Sequence, residues 1–132
     1  MTTSTSKIIL DVRPVPASRP RVSRYGTYYG KNYTEFRKSL YAVLKKIKDK
    51  FPPSATGEFL VELEFICKKP KKPSNPYPRG DIDNYVKGVL DGFTYAGMFW
   101  EDDIQVVELC ASKRYQEEGE DYGIKARVKQ LN

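Results

Sequence analysis

The chain reads as one α+β domain with the element order β-α-β-α-β-β, a mixed sheet and two helices. Three patterns predict this. Residues 59–67 alternate apolar and polar, the signature of a half-buried strand. Residues 33–51 repeat apolar side chains at three- and four-residue steps, the signature of an amphipathic helix. A second, shorter helical stripe lies between that strand and two later strand-like runs, with no internal repeat. At 132 residues the chain suits a single core spanning 1–132, with 1–6 expected to be a frayed tail.

Residues Ile8 to Val12 are β-prone and stop at Pro14 and Pro16, which predicts a first strand. Residues 16–31 hold too many prolines and glycines for a regular element, yet carry Arg19, Arg21, Arg24 and Lys31 with Tyr25, Tyr28 and Tyr29. Such a loop can clamp DNA, arginine on phosphate and tyrosine on bases; it can equally be ordinary surface. Asn32 suits an N-cap, and Phe36, Leu40, Val43, Leu44, Ile47 and Phe51 form the helical stripe up to Pro52-Pro53.

After the strand Phe59 to Cys67 comes a loop, residues 68–80, with five positive charges, four prolines and no acid. Proline keeps it extended, so Lys69, Lys71, Lys72 and Arg79 are presented at low entropic cost. From Asp83 to about Ala96, Val86, Val89, Leu90 and Phe93 share a stripe, and Gly97 is a fitting stop. Gly88 and Gly92 weaken this helix by roughly 1 kcal/mol each relative to alanine, which points to close packing against a sheet or a partner. Residues 104–115 and 122–128 are strand-like and joined by a short glycine-containing turn, so a hairpin is expected.

Net charge is +6 but uneven: residues 1–80 hold 17 Lys/Arg against 6 Asp/Glu, and residues 81–132 hold 6 against 11. A basic body with its acids gathered in one half suits an enzyme of polyanions, although charge asymmetry alone also serves solubility. No stretch approaches the ~20 apolar residues of a membrane span, and the N-terminus lacks a secretory core. Cys67 and Cys110 lie in apolar runs and read as buried free thiols of a reducing cytoplasm. With no histidine and no Cys-x-x-Cys, a zinc site is close to excluded.

The chemistry concentrates in residues 79–103. Asp81 and Asp83 stand at the mouth of the second helix, and Asp102 and Asp103 in the turn after it. If the chain folds back, four carboxylates converge, and crowded like charges require protonation or a cation between them. Oxygen-only ligands select Mg2+, with Mn2+ able to substitute. Such an ion beside basic loops favours phosphodiester hydrolysis. Of the adjacent pair, one member is expected to bind metal and the other to face outward or cap. Lys87 lies four residues from both Asp83 and Asp91; it can pair with either, or orient water and offset charge on a phosphate.

Gly80-Asp81-Ile82-Asp83-Asn84-Tyr85-Val86-Lys87-Gly88-Val89-Leu90-Asp91, followed by Trp100-Glu101-Asp102-Asp103-Ile104-Gln105-Val106-Val107, resembles the RusA family of Holliday junction resolvases, small endonucleases often carried by phages and prophages. Pro16 to Arg21 is similar to the arginine-proline segment of many members. The resemblance implies a homodimer on four-way DNA junctions making paired Mg2+-dependent cuts. It implies Asp81, Asp83 and one of the later pair, Asp103, as the metal-binding aspartates, Lys87 as the essential lysine, and Asp102 as the alternative ligand. The basic residue expected just before the first aspartate is displaced: Gly80 stands there and Arg79 one further back. Val89 and Phe93, beside the helix glycines, are candidates for a dimer interface. Two other readings remain: a metal nuclease of flaps, forks or single strands, and a non-enzymatic basic DNA-binding protein whose acids are structural.

Overall fold

In the computed structural model, residues 5–18, 21–24, 26–28 and 30–132 are described. The elements are β1 (Thr5–Leu10), β2 (Arg21–Ser23), β3 (Gly26–Tyr28), α1 (Lys31–Ile47), β4 (Phe59–Cys67), α2 (Ile82–Ala96), β5 (Val106–Tyr115) and β6 (Gly123–Gln130), with single 3-10 turns at Lys48–Lys50 and Asp103–Gln105. The main sheet and two helices follow the order expected, β-α-β-α-β-β. Strands β2 and β3 form an additional two-stranded ribbon inside the segment expected to be irregular. The first strand also starts earlier than expected, because Thr5 and Ser6 already pair with Lys129 and Val128.

The main sheet runs β1-β6-β4-β5, with β4 parallel to β5 and antiparallel to β6. The expected β5-β6 hairpin therefore does not form: β4 lies between them. The reason is burial. Phe59, Val61, Leu63, Phe65 and Cys67 of β4 are all buried, so this strand gains most from the centre of the sheet. Parallel pairing of β4 with β5 requires a crossover, and α2 supplies it. The segment between β5 and β6 only has to step over one strand, roughly 10 Å. It is held by Arg114, which donates to both carboxylate oxygens of Glu120 at 2.6 and 2.7 Å, while Glu120 Oε1 also accepts from the Glu117 amide at 2.9 Å.

One face of the sheet carries the helices and the core; the other is a solvent-facing ladder in which Glu62 stands opposite Arg127 and Glu64 opposite Lys125. Cys67 is buried on the core side, and Cys110 is exposed on the ladder side, which corrects the expectation of two buried thiols. Helix α1 is capped two residues earlier than expected: Gly30 is the N-cap, Asn32 is already helical, and Thr34 Oγ1 donates to the Gly30 carbonyl at 3.0 Å. Phe36, Leu40 and Leu44 bury its stripe.

Helix α2 ends as expected. Gly97 adopts φ +72, its amide bonds to Thr94 O and the Met98 amide to Phe93 O, so the last carbonyls are satisfied. Its two internal glycines face α1 rather than a sheet or a second chain. A Cβ at Gly88 would lie 3.2 Å from the Phe36 ring, and one at Gly92 only 2.6 Å from Leu40 Cδ2. The backbone of α2 thus lies directly on the side chains of α1 at those points. Trp100, fully buried, packs edge-on against Phe59 and Phe93 and donates from Nε1 to Thr94 Oγ1 at 2.8 Å. It nails the turn after α2 to the core.

Two outcomes test this packing. Gly92→Val overpacks the helix interface and should cost about 1–3 kcal/mol in urea unfolding. Glu120 is held at a pKa of about 2, below its ordinary 4.5, first by the Arg114 hydrogen bond and then by the Glu117 amide. A lowered folded-state pKa contributes stability that is present above the ordinary value and is lost as pH falls toward 2. Melting of wild type against Glu120→Gln should therefore show a wild-type advantage at pH 7 that closes between roughly pH 4.5 and pH 2.

Candidate functional site

The site begins where the proline-rich loop turns into α2. Gly80 takes φ +94, a conformation that side chains disfavour, and a Cβ there would stand 2.8 Å from Pro16 Cγ. Pro16 and Ala17 thus press on the start of α2, and the Ala17 amide donates to Asn84 O at 2.9 Å. Asp81 is the N-cap residue, extended at φ −77 and ψ 140; its carbonyl accepts from the Asn84 amide at 3.0 Å, and its side chain makes no capping bond. Asp83, in the first turn, accepts from the Asn84 amide at 3.0 Å. Both carboxylates are exposed at the N-terminal end of the helix.

Asp83, Lys87 and Asp91 are successive four-residue steps along one helix face, spanning about 12 Å at ~1.5 Å per residue. Of the two pairings open to Lys87, the structure makes the one with Asp91, Nζ to Oδ2 at 3.2 Å. With 64% and 41% of these side chains exposed, that bridge is weak.

The later pair divides its work. Asp102 caps the 3-10 turn: Oδ1 accepts from the Ile104 amide at 3.1 Å, and Gln105 Oε1 accepts in return from the Asp102 amide at 3.1 Å. Asp103 is half-buried and faces α2. Its carboxyl is pushed above the usual carboxylate range by burial first, then by the neighbouring charges of Asp102 and Asp91, with Lys87 pulling the other way. Asp103 thus lies within electrostatic range of Asp102, Asp91 and Lys87, while Asp81 and Asp83 stand at the start of α2. Among the described residues no three acids, histidines or cysteines are gathered at metal-ligand spacing in this side-chain arrangement. The donors are all hard carboxylate oxygens, and the crowding at Asp103 is what a divalent cation would relieve, so the set fits Mg2+ in kind.

Of the expected DNA-binding side chains, Lys69, Lys71, Lys72 and Arg79 are exposed on the 68–80 loop, and Arg24 is exposed at the turn of the β2-β3 ribbon. Arg19 and the Arg21 side chain lie outside the described residues. The candidate interface residues Val89 and Phe93 are both fully buried against α1 and the sheet, and so present no surface to a second chain.

Sequence reasoning missed three supports. Gln105 reaches from the acidic turn to the carbonyls of Ser54 and Gly57, each at 2.9 Å. Tyr85 donates to the Arg79 carbonyl at 2.6 Å. Lys113 of β5 reaches the same loop. A readable signal existed only for Lys113, a lysine in phase with Leu109, Ala111 and Tyr115 along its strand.

Among the described residues no helix is long and apolar enough to cross a membrane. The chain is similar to the uncharacterized protein YqaN of Bacillus subtilis strain 168, with 31% identity covering 80% of this chain and 84% of that one. Residues 11–127 match the family model described as Endodeoxyribonuclease RusA, which takes in every element from the proline-rich segment through most of β6. With the aspartate-bearing helix, the acidic turn and the basic loop all inside that match, the chain belongs to the RusA endodeoxyribonuclease family.

Proposed function

We propose that this protein is a Mg2+-dependent endodeoxyribonuclease selective for four-way DNA junctions, acting as a homodimer in the cytoplasm of a bacterial or phage-infected cell. The observation that carries the reading is one helix with acids and a lysine on its outer face, an acidic turn folded against it, and an exposed basic loop leading into it. Asp81, Asp83 and Asp103 would hold the ion, with Asp102 orienting its neighbour by capping the turn. When bound, Mg2+ or Mn2+ lowers the pKa of attached water and offsets charge on the scissile phosphate.

The remaining work falls to side chains of the chain itself. Lys87, released from Asp91, offers an ammonium to the phosphate oxygens as negative charge builds. Lys69, Lys71, Lys72 and Arg79, with Arg19, Arg21 and Arg24 from the ribbon segment, hold the flanking backbone. A four-way junction has two-fold symmetry, so a two-fold dimer addresses two opposed strands with one site each. Exposed Ile104, Val107 and Leu109, at and beside the edge strand β5, are the apolar surface that supports such an interface, in place of the buried Val89 and Phe93.

Asp81→Asn and Asp83→Asn should each lower the cleavage rate on a labelled mobile junction by roughly 1000-fold or more, as expected when a key charge is removed from a reacting site. Junction binding should stay equal or tighten. Run beside flap and linear duplex at one salt concentration, the wild type should cut the junction fastest. A wild-type rate in either variant would show the site misassigned, and preference for the flap would move the substrate. Replacing Lys69, Lys71 and Lys72 together by alanine should flatten the slope of log affinity against log salt by about 2–3, at ~0.9 for each phosphate no longer neutralised.

A further inference from the structure

Three successive peptide carbonyls immediately before Asp81 are each bound by a side chain rising from the core. Lys113 Nζ donates to Pro78 O and to Gly80 O, both at 2.6 Å. Between them the Tyr85 hydroxyl donates to Arg79 O at 2.6 Å. The next carbonyl, that of Asp81, already accepts from the first turn of α2. Every peptide plane from Pro78 to Asp81 is therefore set by a donor on β5 or α2, and Gly80 at φ +94 has Pro16 against it on the remaining side. The same ammonium lies 5.8 Å from the ring centres of both Tyr77 and Tyr85, a cation-π arrangement that holds it over the loop.

Lys113 itself is held by register. It stands opposite Phe65 of the central strand, on the face that packs beneath α2. Phe65 packs on Tyr85 at 5.4 Å between ring centres, so both donors rise from one buried platform. Lys113 is half-buried there, and its two short bonds to carbonyls satisfy its ammonium.

We infer that Lys113, with Tyr85, is a positioning residue that aims Asp81 and Arg79 at the scissile phosphate and its ion, an inference that rests on the reading of the aspartate site given above. Neither residue touches the reacting atoms. Each fixes the direction in which the loop delivers its side chains, and an error of about 1 Å at a reacting group costs about 100-fold in rate.

The test is single-turnover cleavage of a labelled four-way junction at saturating enzyme, over a range of Mg2+ concentrations. Lys113→Met should lower the maximal rate about 10- to 100-fold and raise the Mg2+ concentration for half-maximal rate several-fold. Junction affinity measured without metal should stay within about twofold, since Lys113 is not on the basic surface. Lys113→Arg, whose guanidinium can donate to two carbonyls, should recover part of both losses. Lys125→Met, on the opposite face of the sheet, should behave as wild type. Tyr85→Phe removes one hydroxyl from the same loop and carries the test if Lys113→Met does not fold by circular dichroism. A folded Lys113→Met with wild-type rate and Mg2+ requirement overturns this inference alone. So does a loss of rate that tracks a lowered melting temperature and leaves the Mg2+ requirement unmoved. A wild-type chain that cuts no DNA, or an Asp81→Asn variant that still cuts, overturns the underlying site and this inference with it.

Discussion

The close approach of α1 and α2 is the constraint on which the rest depends. Helix α2 has to serve as the crossover between the parallel strands β4 and β5 while keeping a polar face outward. It does so because Gly88 and Gly92 let it sink onto Tyr33, Phe36, Leu40 and Leu44, with Val89 and Phe93 fully buried beside them. Two glycines cost roughly 1 kcal/mol each in helix propensity, and several buried apolar side chains at about 1.5–3 kcal/mol apiece outweigh that. Once this face is spent on the core, the opposite one, with Asp83, Lys87 and Asp91, can only look outward.

Two anchors then convert a helix orientation into a site. At the N-terminal end, the loop before Asp81 is fastened to the sheet by Lys113 and to the helix by Tyr85, with Pro16 packed on Gly80. At the C-terminal end, Trp100 in the core and Gln105 across the 54–57 loop hold the turn that brings Asp103 back to the helix. The aspartates are thus supplied by exposed backbone whose supports are buried at Tyr85 and Trp100 and half-buried at Lys113 and Gln105. This separation lets negative charge collect on the surface without burying an unpaired carboxylate, which would be far more costly.

The acids and bases meet along one line, since the 68–80 loop ends where α2 begins. A chain with net charge +6 overall can therefore present its acids beside a basic border, whose long-range field attracts a polyanion. The Lys87–Asp91 pair on that outer face is weak, because both partners are partly solvated.

Strand β4, both helices and the capping role of Gly97 were legible from periodicity, because the phase of burial along one element is written in its own residues. So was the presence of a cap within the Asp102-Asp103 pair, since neighbouring residues at a strand mouth face opposite ways. Sheet order was not: Val106 to Tyr115 and Gly123 to Gln130 look alike as strands, and only competition for the buried centre put β4 between them. The short β2-β3 ribbon, the exposure of Cys110 and the burial of Val89 and Phe93 likewise depended on what the rest of the chain packed against them. Local spacing thus decides which side chains share a face. Which faces meet, and hence that Lys113 lies under the loop before Asp81, is settled by long-range burial that no window of neighbouring residues contains.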